Sequence, residues 1–209
     1  MNCLDCFEYA GIPLRGRSLS HASVTVKSAT TRDLKAMADC EETAKLFAER
    51  LANREHCVVA TADNRIVGYE WYCDAPFHAE ERYSYKLQIP PDTLYAYDAF
   101  VQPEYRRLGV WTLFHVVYLR YLMLRLRKSR IIAMVDHDNK ASIEAHSKFG
   151  YRIYAKVFVL KIFGKSFCVT RPAKTGKTAD RPIEPRDTSE VVEIGSGALP
   201  SYQAQGALK

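Results

Sequence analysis

The run from Leu94 to Lys128 limits the fold more than any other part of the chain. Leu94–Val101 reads as a strand. The turn after it carries Arg106, Arg107 and a single glycine, Gly109, and an apolar helix follows from Thr112 to about Lys128. That helix is apolar on nearly every side, and such a helix is buried on more than one face, against a sheet and beneath something else. It is broken by His115, Arg120 and Arg125 and is too short to span a bilayer. The segment therefore predicts a layered soluble domain.

The remaining periodicity fits the same plan. Ser23–Ala29 alternates as a strand. From Thr31 to about Asn53, Leu34, Met37, Leu46, Phe47 and Leu51 recur at helical spacing. Cys57–Thr61 and Ile66–Cys73 are β-rich runs around Asp63-Asn64, a hairpin signal. Asp74–Asp92 is a polar, proline-containing loop with a short strand near Tyr83–Ile89. Ile131–Val135 is a buried strand, Lys140–Phe149 a helix stopped by Gly150, and Tyr151–Ile162 and Ser166–Thr170 are closing strands. The order predicts an α/β chain with a mixed sheet and helices on both faces. Residues 23–170 form the domain, 1–22 an extension laid on it, and 171–209, rich in Pro and Gly with one aromatic, a flexible or loosely docked tail.

Charge narrows the function. The net charge is +6, and Tyr105–Val135 holds seven basic residues and no acidic one, which favours an anionic partner. Arg120, Arg125, Arg127, Lys128 and Arg130 do not share one helix face and lack exposed aromatic platforms, so a nucleic-acid partner is not expected. Met1–Pro13 shows no basic segment leading into an apolar run, so a cytoplasmic location is expected. Of six cysteines only Cys3 and Cys6 are close, and they are read as free thiols. His137 between Asp136 and Asp138 is read as solvated loop, and no metal is expected.

The turn itself carries chemistry. Amides at a helix N-terminus point outward unsatisfied and the helix dipole adds positive charge there. Arg106 and Arg107 add full charges, and Gly109 leaves room for close backbone approach. This is an anion cradle suited to a pyrophosphate.

Val101-x-Pro103-x-Tyr105-Arg106-Arg107-Leu108-Gly109-Val110 resembles the acyl-CoA-binding motif of the GNAT superfamily of N-acetyltransferases, R/Q-x-x-G-x-G/A. Asp138-Asn139-x-x-Ser142-x-x-x-His146-x-Lys148-x-Gly150-Tyr151 is similar to that family's second motif. The resemblance covers roughly Ser23–Thr170. It implies a mostly antiparallel GNAT-like sheet, acetyl-CoA as co-substrate, and direct transfer of the acetyl group to a primary amine of a small molecule or peptide. A longer-chain N-acyltransferase drawing on acyl-CoA or acyl carrier protein is the alternative within enzymes. A non-catalytic acyl-CoA-binding module is the alternative outside them. A homodimer is compatible with either.

By position, the resemblance places the thioester carbonyl against main-chain amides near Phe100 and Val101. It assigns Arg106, Arg107, Leu108, Gly109, Val110, Trp111 and Thr112 to the pyrophosphate and Asn139 to the pantetheine arm. Trp111 replaces the motif's second small residue, so its indole must turn away or reshape the pocket. His146 replaces the family's tyrosine and is the candidate general acid, weighed evenly against local packing. An amine of pKa about 10.4 is nearly all protonated at pH 7, so a base is required. Asp98, Glu70 and, through water, Tyr95 or Tyr97 are the candidates. Asp98 reads more readily as a structural partner for a backbone group or an arginine than as a base, and Glu70 more readily as a solvent-exposed residue. Strand alternation sends Tyr95 and Tyr97 to the face opposite Asp98 unless a bulge intervenes.

Overall fold

The structure is a computed structural model that describes residues 2–13, 24–38, 40, 44–80, 83, 85–162, 165–173 and 202–203. Most of the predicted tail, and residues 14–23, lie outside the described residues. The strands are β1 (Asn2–Ala10), β2 (Thr25–Ser28), β3 (His56–Ala62), β4 (Arg65–Cys73), β5 (Phe77–Glu80), β6 (Tyr85–Gln88), β7 (Thr93–Val101), β8 (Arg130–Asp136), β9 (Arg152–Ile162), β10 (Lys165–Pro172) and β11 (Tyr202–Gln203). The helices are α1 (Leu34–Ala38), α2 (Ala44–Ala52), α3 (Val110–Leu113), α4 (Arg120–Leu126) and α5 (Lys140–Phe149). A π-helical turn, Phe114–Leu119, joins α3 to α4, so the predicted apolar helix runs unbroken from Val110 to Leu126.

The main sheet has the order β10-β9-β1-β8-β7-β4-β3-β2-β11, and β5 pairs with β6 in a separate hairpin. Every pairing is antiparallel except β7 with β8, which the α3–α4 helix connects as a crossover. Between β3 and β4, Asp63 and Asn64 both have positive φ, as the two-residue hairpin turn requires. Among the described residues no helix is long and apolar enough to cross a membrane.

The first residues correct the reading of 1–22 as an extension. Asn2–Ala10 is an internal strand, held between β8 and β9. Asp5 and Glu8 disguise it by breaking the apolar run. Asp5 is 1% exposed and is compensated by His137 and Lys156, whose nitrogens lie 2.7 and 3.0 Å from its carboxylate.

The sheet has an apolar layer on each face. One layer joins Phe7, Val58, Tyr72, Leu94, Ala96 and Ala133 to the α3–α4 helix, with Ile143 and Phe149 of α5 packed beside them. The other joins Cys57, Val59, Tyr69, Trp71, Tyr95 and Tyr97 to Met37, Phe47 and the β6 side chain Leu87. Each Val, Leu, Phe or Met among them contributes about 1.5–3 kcal/mol when fully buried.

Two irregularities of β7 position the site. The parallel ladder with β8 ends at Ala96–Ala133, yet β7 runs on to Val101 and β8 to Asp136. The strands part there, leaving a wedge in the sheet. On its other side β7 is bulged. Tyr69 pairs with Phe100 and Trp71 with Tyr97, so Asp98 and Ala99 together oppose the single residue Glu70. Asp98 takes φ 47° to accommodate the extra residue.

Candidate active site

The basic turn leads from the wedge into the helix. Pro103–Tyr105 forms a single 3-10 turn, Arg107 takes φ 64°, and Gly109, at φ 80°, is the N-cap of α3. Arg106 Nε donates to the carbonyl of Val101 at 2.9 Å and ties the turn to the end of β7. Arg106, Arg107 and Leu108 are exposed, and Val110 is anchored in the core. The first-turn amides of Val110, Trp111 and Thr112 precede any intrahelical acceptor and face outward beside the two guanidinium groups.

Trp111 fits this cradle because its indole turns inward. Its Nε1–H donates to Glu70 Oε1 at 3.2 Å, and its ring centroid lies 4.0 Å from that of His115 and 4.8 Å from that of His146. Its main-chain amide is left at the cradle. The residues present therefore fit a CoA pyrophosphate, with no Cβ at Gly109 and no indole in the way.

Glu70 corrects the reading of an exposed strand residue. It is 2% exposed, accepts from the Tyr72 hydroxyl at 2.5 Å, and has His115 Nδ1 at 3.5 Å. Burial pushes its carboxyl up to about 8, against the two hydrogen bonds that pull it down. Burial pulls His115 down to about 3, so glutamic acid and neutral imidazole face one another. His115 Nε2 meets the Tyr151 hydroxyl at 2.9 Å, and its Nδ1 meets the Trp111 carbonyl at 3.2 Å. His115 lies in the π-helical turn, and nothing in the sequence marked it as part of a polar network.

His146 belongs to the same layer. Its Nδ1 lies 2.8 Å from the carbonyl of Ser142, which can only accept, so Nδ1 carries the proton. Burial holds its pKa below the usual histidine value. The side chain of Asn139 caps α5 by accepting from the Ser142 amide at 3.1 Å.

The bulge brings Asp98 to the opposite layer, the one holding Tyr95 and Tyr97, and so reverses simple alternation. There Arg50 Nη1 donates to Asp98 Oδ2, with the guanidinium 5.2 Å from the Trp71 ring and 4.9 Å from that of Tyr97. The sheet thus separates the candidates. Glu70, Trp111 and His146 meet beneath the α3–α4 helix, whereas Asp98 stands across the sheet. Phe100 and Val101 form the end of β7 between them.

Other sequence features take local roles. Arg120 donates to the carbonyl of Pro13, Lys128 to that of Pro91, and Arg130 faces Glu8 and Asp92. Cys3, Asp5 and His137 place potential ligand atoms within 4.8 Å of one another. Both Asp5 oxygens there already face nitrogens, of His137 and Lys156.

A split β7–β8 pair thus opens onto a basic helix N-terminus. The sequence profile described as the Acetyltransferase (GNAT) family matches residues 26–151, and the chain belongs to that family. No curated protein matches the sequence. The chain is similar in fold to a functionally unknown conserved protein from Staphylococcus epidermidis, with TM-score 0.54 and 12% identity over 74% of this chain and 59% of that one. It is also similar to the aminoglycoside N-acetyltransferase AAC(6')-Iy in complex with CoA, with TM-score 0.50 and 14% identity over 61% of this chain and 90% of that one. The ribosomal-protein-alanine N-acetyltransferase from Brucella melitensis aligns with TM-score 0.50 and 14% identity over 66% of this chain and 99% of that one. These likenesses establish the fold, a mostly antiparallel sheet flanked by helices, and the family makes acyl transfer with a CoA-type co-substrate its general chemistry.

Proposed function

We propose that the protein transfers an acetyl group from acetyl-CoA to a primary amine by direct attack. One observation carries this reading: the wedge between β7 and β8 opens onto the Arg106–Gly109 turn, with Arg106 bonded to Val101 across the junction. A pyrophosphate at the turn would lay its acyl arm along the free edge of β7, where the amides near Phe100 and Val101 would meet the thioester carbonyl as it gains negative charge. Asn139 at the start of α5 would border the arm.

Bond changes follow from the chemistry. The amine gives up one proton, its lone pair bonds to the carbonyl carbon, and the C–S bond breaks with its electron pair leaving on sulfur. A neutral His146 with its proton on Nδ1 has only an acceptor at Nε2, so we assign it to packing beneath the cradle. The sulfur takes the second proton from the attacking nitrogen.

Calorimetric titration tests the reading. Acetyl-CoA should bind the wild-type protein, and the Arg106→Ala, Gly109→Trp double variant should lose that binding. Preference for a long-chain acyl-CoA would move the function to fatty acylation. Failure of both ligands to bind would overturn the enzyme reading.

A further inference from the structure

The two carboxylates singled out from the sequence are both engaged, Asp98 by Arg50 and Glu70 beneath the α3–α4 helix. A third, Glu80, stands at the end of β5, beside the point where β7 and β8 part. The hydroxyl of Tyr95 donates to Glu80 Oε1, and His78 Nε2 lies 3.7 Å from the same oxygen. Tyr95 pairs with Ile132 one step before the parallel ladder ends, and Tyr97 follows it where the strands part. The two phenol rings stack at 5.5 Å, and the His78 ring lies 4.3 Å from Tyr97 and 5.0 Å from Tyr95.

A second observation lies beside this cluster. Tyr97 and Trp71 are cross-strand partners beneath Arg50. The Tyr97 hydroxyl and the Trp71 indole Nε1 are both buried and find no hydrogen-bond partner among the described residues. Leaving a buried donor unmade costs about 1–3 kcal/mol, and native folds seldom leave two side by side without a use for them.

From this juxtaposition we infer that Glu80, through the Tyr95 hydroxyl, takes the proton from the acceptor's ammonium group, and that the acceptor is a primary amine whose neighbouring oxygen meets Tyr97 and Trp71. The inference rests on the acyltransferase reading. The ammonium proton passes to Tyr95 Oη as the phenol proton passes to Glu80, and Glu80 later releases it to solvent. The freed lone pair forms the new N–C bond as the C–S bond breaks, the leaving sulfur takes the second proton from the nitrogen, and CoA departs as the thiol.

The groups facing Glu80 suit this task. Burial raises its carboxyl above the usual glutamate value, and Asp98 on β7 reinforces that rise. The Tyr95 hydrogen bond and Arg50 on α2 oppose it. Burial holds His78 down at about 4, which leaves it neutral and a weak competitor for the proton. Tyr85 of β6 is the cross-strand partner of Glu80. A base poised nearer neutrality is the more effective proton acceptor at physiological pH.

The test compares wild type, Glu80→Gln and Tyr95→Phe, with acetyl-CoA binding by calorimetry as one arm. The other arm measures CoA release against pH with glycinamide, glucosamine or propylamine as acceptor. Acetyl-CoA should bind all three proteins alike, which also confirms that the variants fold. Per concentration of unprotonated amine, the oxygen-bearing amines should be acetylated at least about tenfold faster than propylamine, and Glu80→Gln should lower kcat/KM for them about a hundredfold. In wild type the rate should fall on the acid side as Glu80 is protonated, and Glu80→Gln should abolish that fall. Tyr95→Phe should cost about tenfold. A Glu80→Gln rate within about threefold of wild type, an unchanged acid limb, or wild type that binds acetyl-CoA yet acetylates none of the amines would overturn the inference. Absence of acetyl-CoA binding by wild type would overturn the acyltransferase reading instead.

Discussion

Replacing Glu70 with glutamine should make the protein more stable, and increasingly so as the pH rises. The carboxyl lies 2% exposed between the Tyr72 hydroxyl and the Trp111 indole, with burial lifting it from 4.5 to about 8. Between those values the folded chain holds a proton that the unfolded chain releases. Stability therefore falls with rising pH, by about 1.4 kcal/mol for each pH unit. The accumulated cost is about 1 kcal/mol at pH 5, about 3 at pH 7 and between 4 and 5 at pH 8, where it levels off. Glutamine keeps the shape, offers its oxygen to the Trp111 indole and its amide N–H to the Tyr72 hydroxyl oxygen, and never ionises. Urea unfolding of both proteins at pH 5, 7 and 8.5, read as midpoints with matched slopes, measures the difference directly. The variant should lie within about 1 kcal/mol of wild type at pH 5 and exceed it by about 3 kcal/mol or more at pH 8.5. Two stability curves that run parallel across this range would refute the reasoning, because they would mean that the Glu70 carboxyl is not held protonated by its burial.

Two further substitutions probe the site. A Cβ on Gly68 would lie 2.7 Å from the carbonyl oxygen of Phe100 and 3.3 Å from the Val101 Cα, both backbone atoms. Gly68→Ala should therefore cost about 1–3 kcal/mol of stability and, by displacing the end of β7, weaken acetyl-CoA binding about tenfold; wild-type affinity in a destabilised variant would detach that strand end from cofactor binding. His146→Phe should change kcat less than about threefold at pH 8, since the neutral ring has no proton at Nε2 to give; a loss of about a hundredfold would restore His146 as the general acid.

What the sequence revealed depended on how local each signal was. The α5 boundaries and its Gly150 stop were readable because spacing, cap and left-handed glycine lie within a dozen consecutive residues. The basic turn capped by Gly109 was readable for the same reason. β1 was hidden because Asp5 and Glu8 look like surface residues until the distant partners His137, Lys156 and Arg130 are in place. Glu70 looked exposed because the groups that enclose it, Trp111 and His115, arrive on the helix some forty residues later. Glu80 lay within a polar loop, and only the β5–β6 pairing brings it to Tyr95. Asp98 shares the face of Tyr95 and Tyr97 only because of the β7 bulge, where it takes φ 47°.

The central place of β1 also sets a timetable. Asn2 pairs with Val159 and Ala10 with Arg130, so β1, which precedes the other strands of its sheet, cannot find either neighbour until β8 and β9 have been made. At synthesis rates of about 5–20 residues per second, that is a wait of roughly 7–30 s. During that interval Leu4, Cys6 and Phe7, later almost wholly enclosed, have no sheet to enter. The two halves of the sheet, β2–β3–β4–β7 and β8–β9–β10, come from consecutive stretches of chain. The strand that fastens the second half together is the oldest one, and it must be kept from other partners until its place is ready.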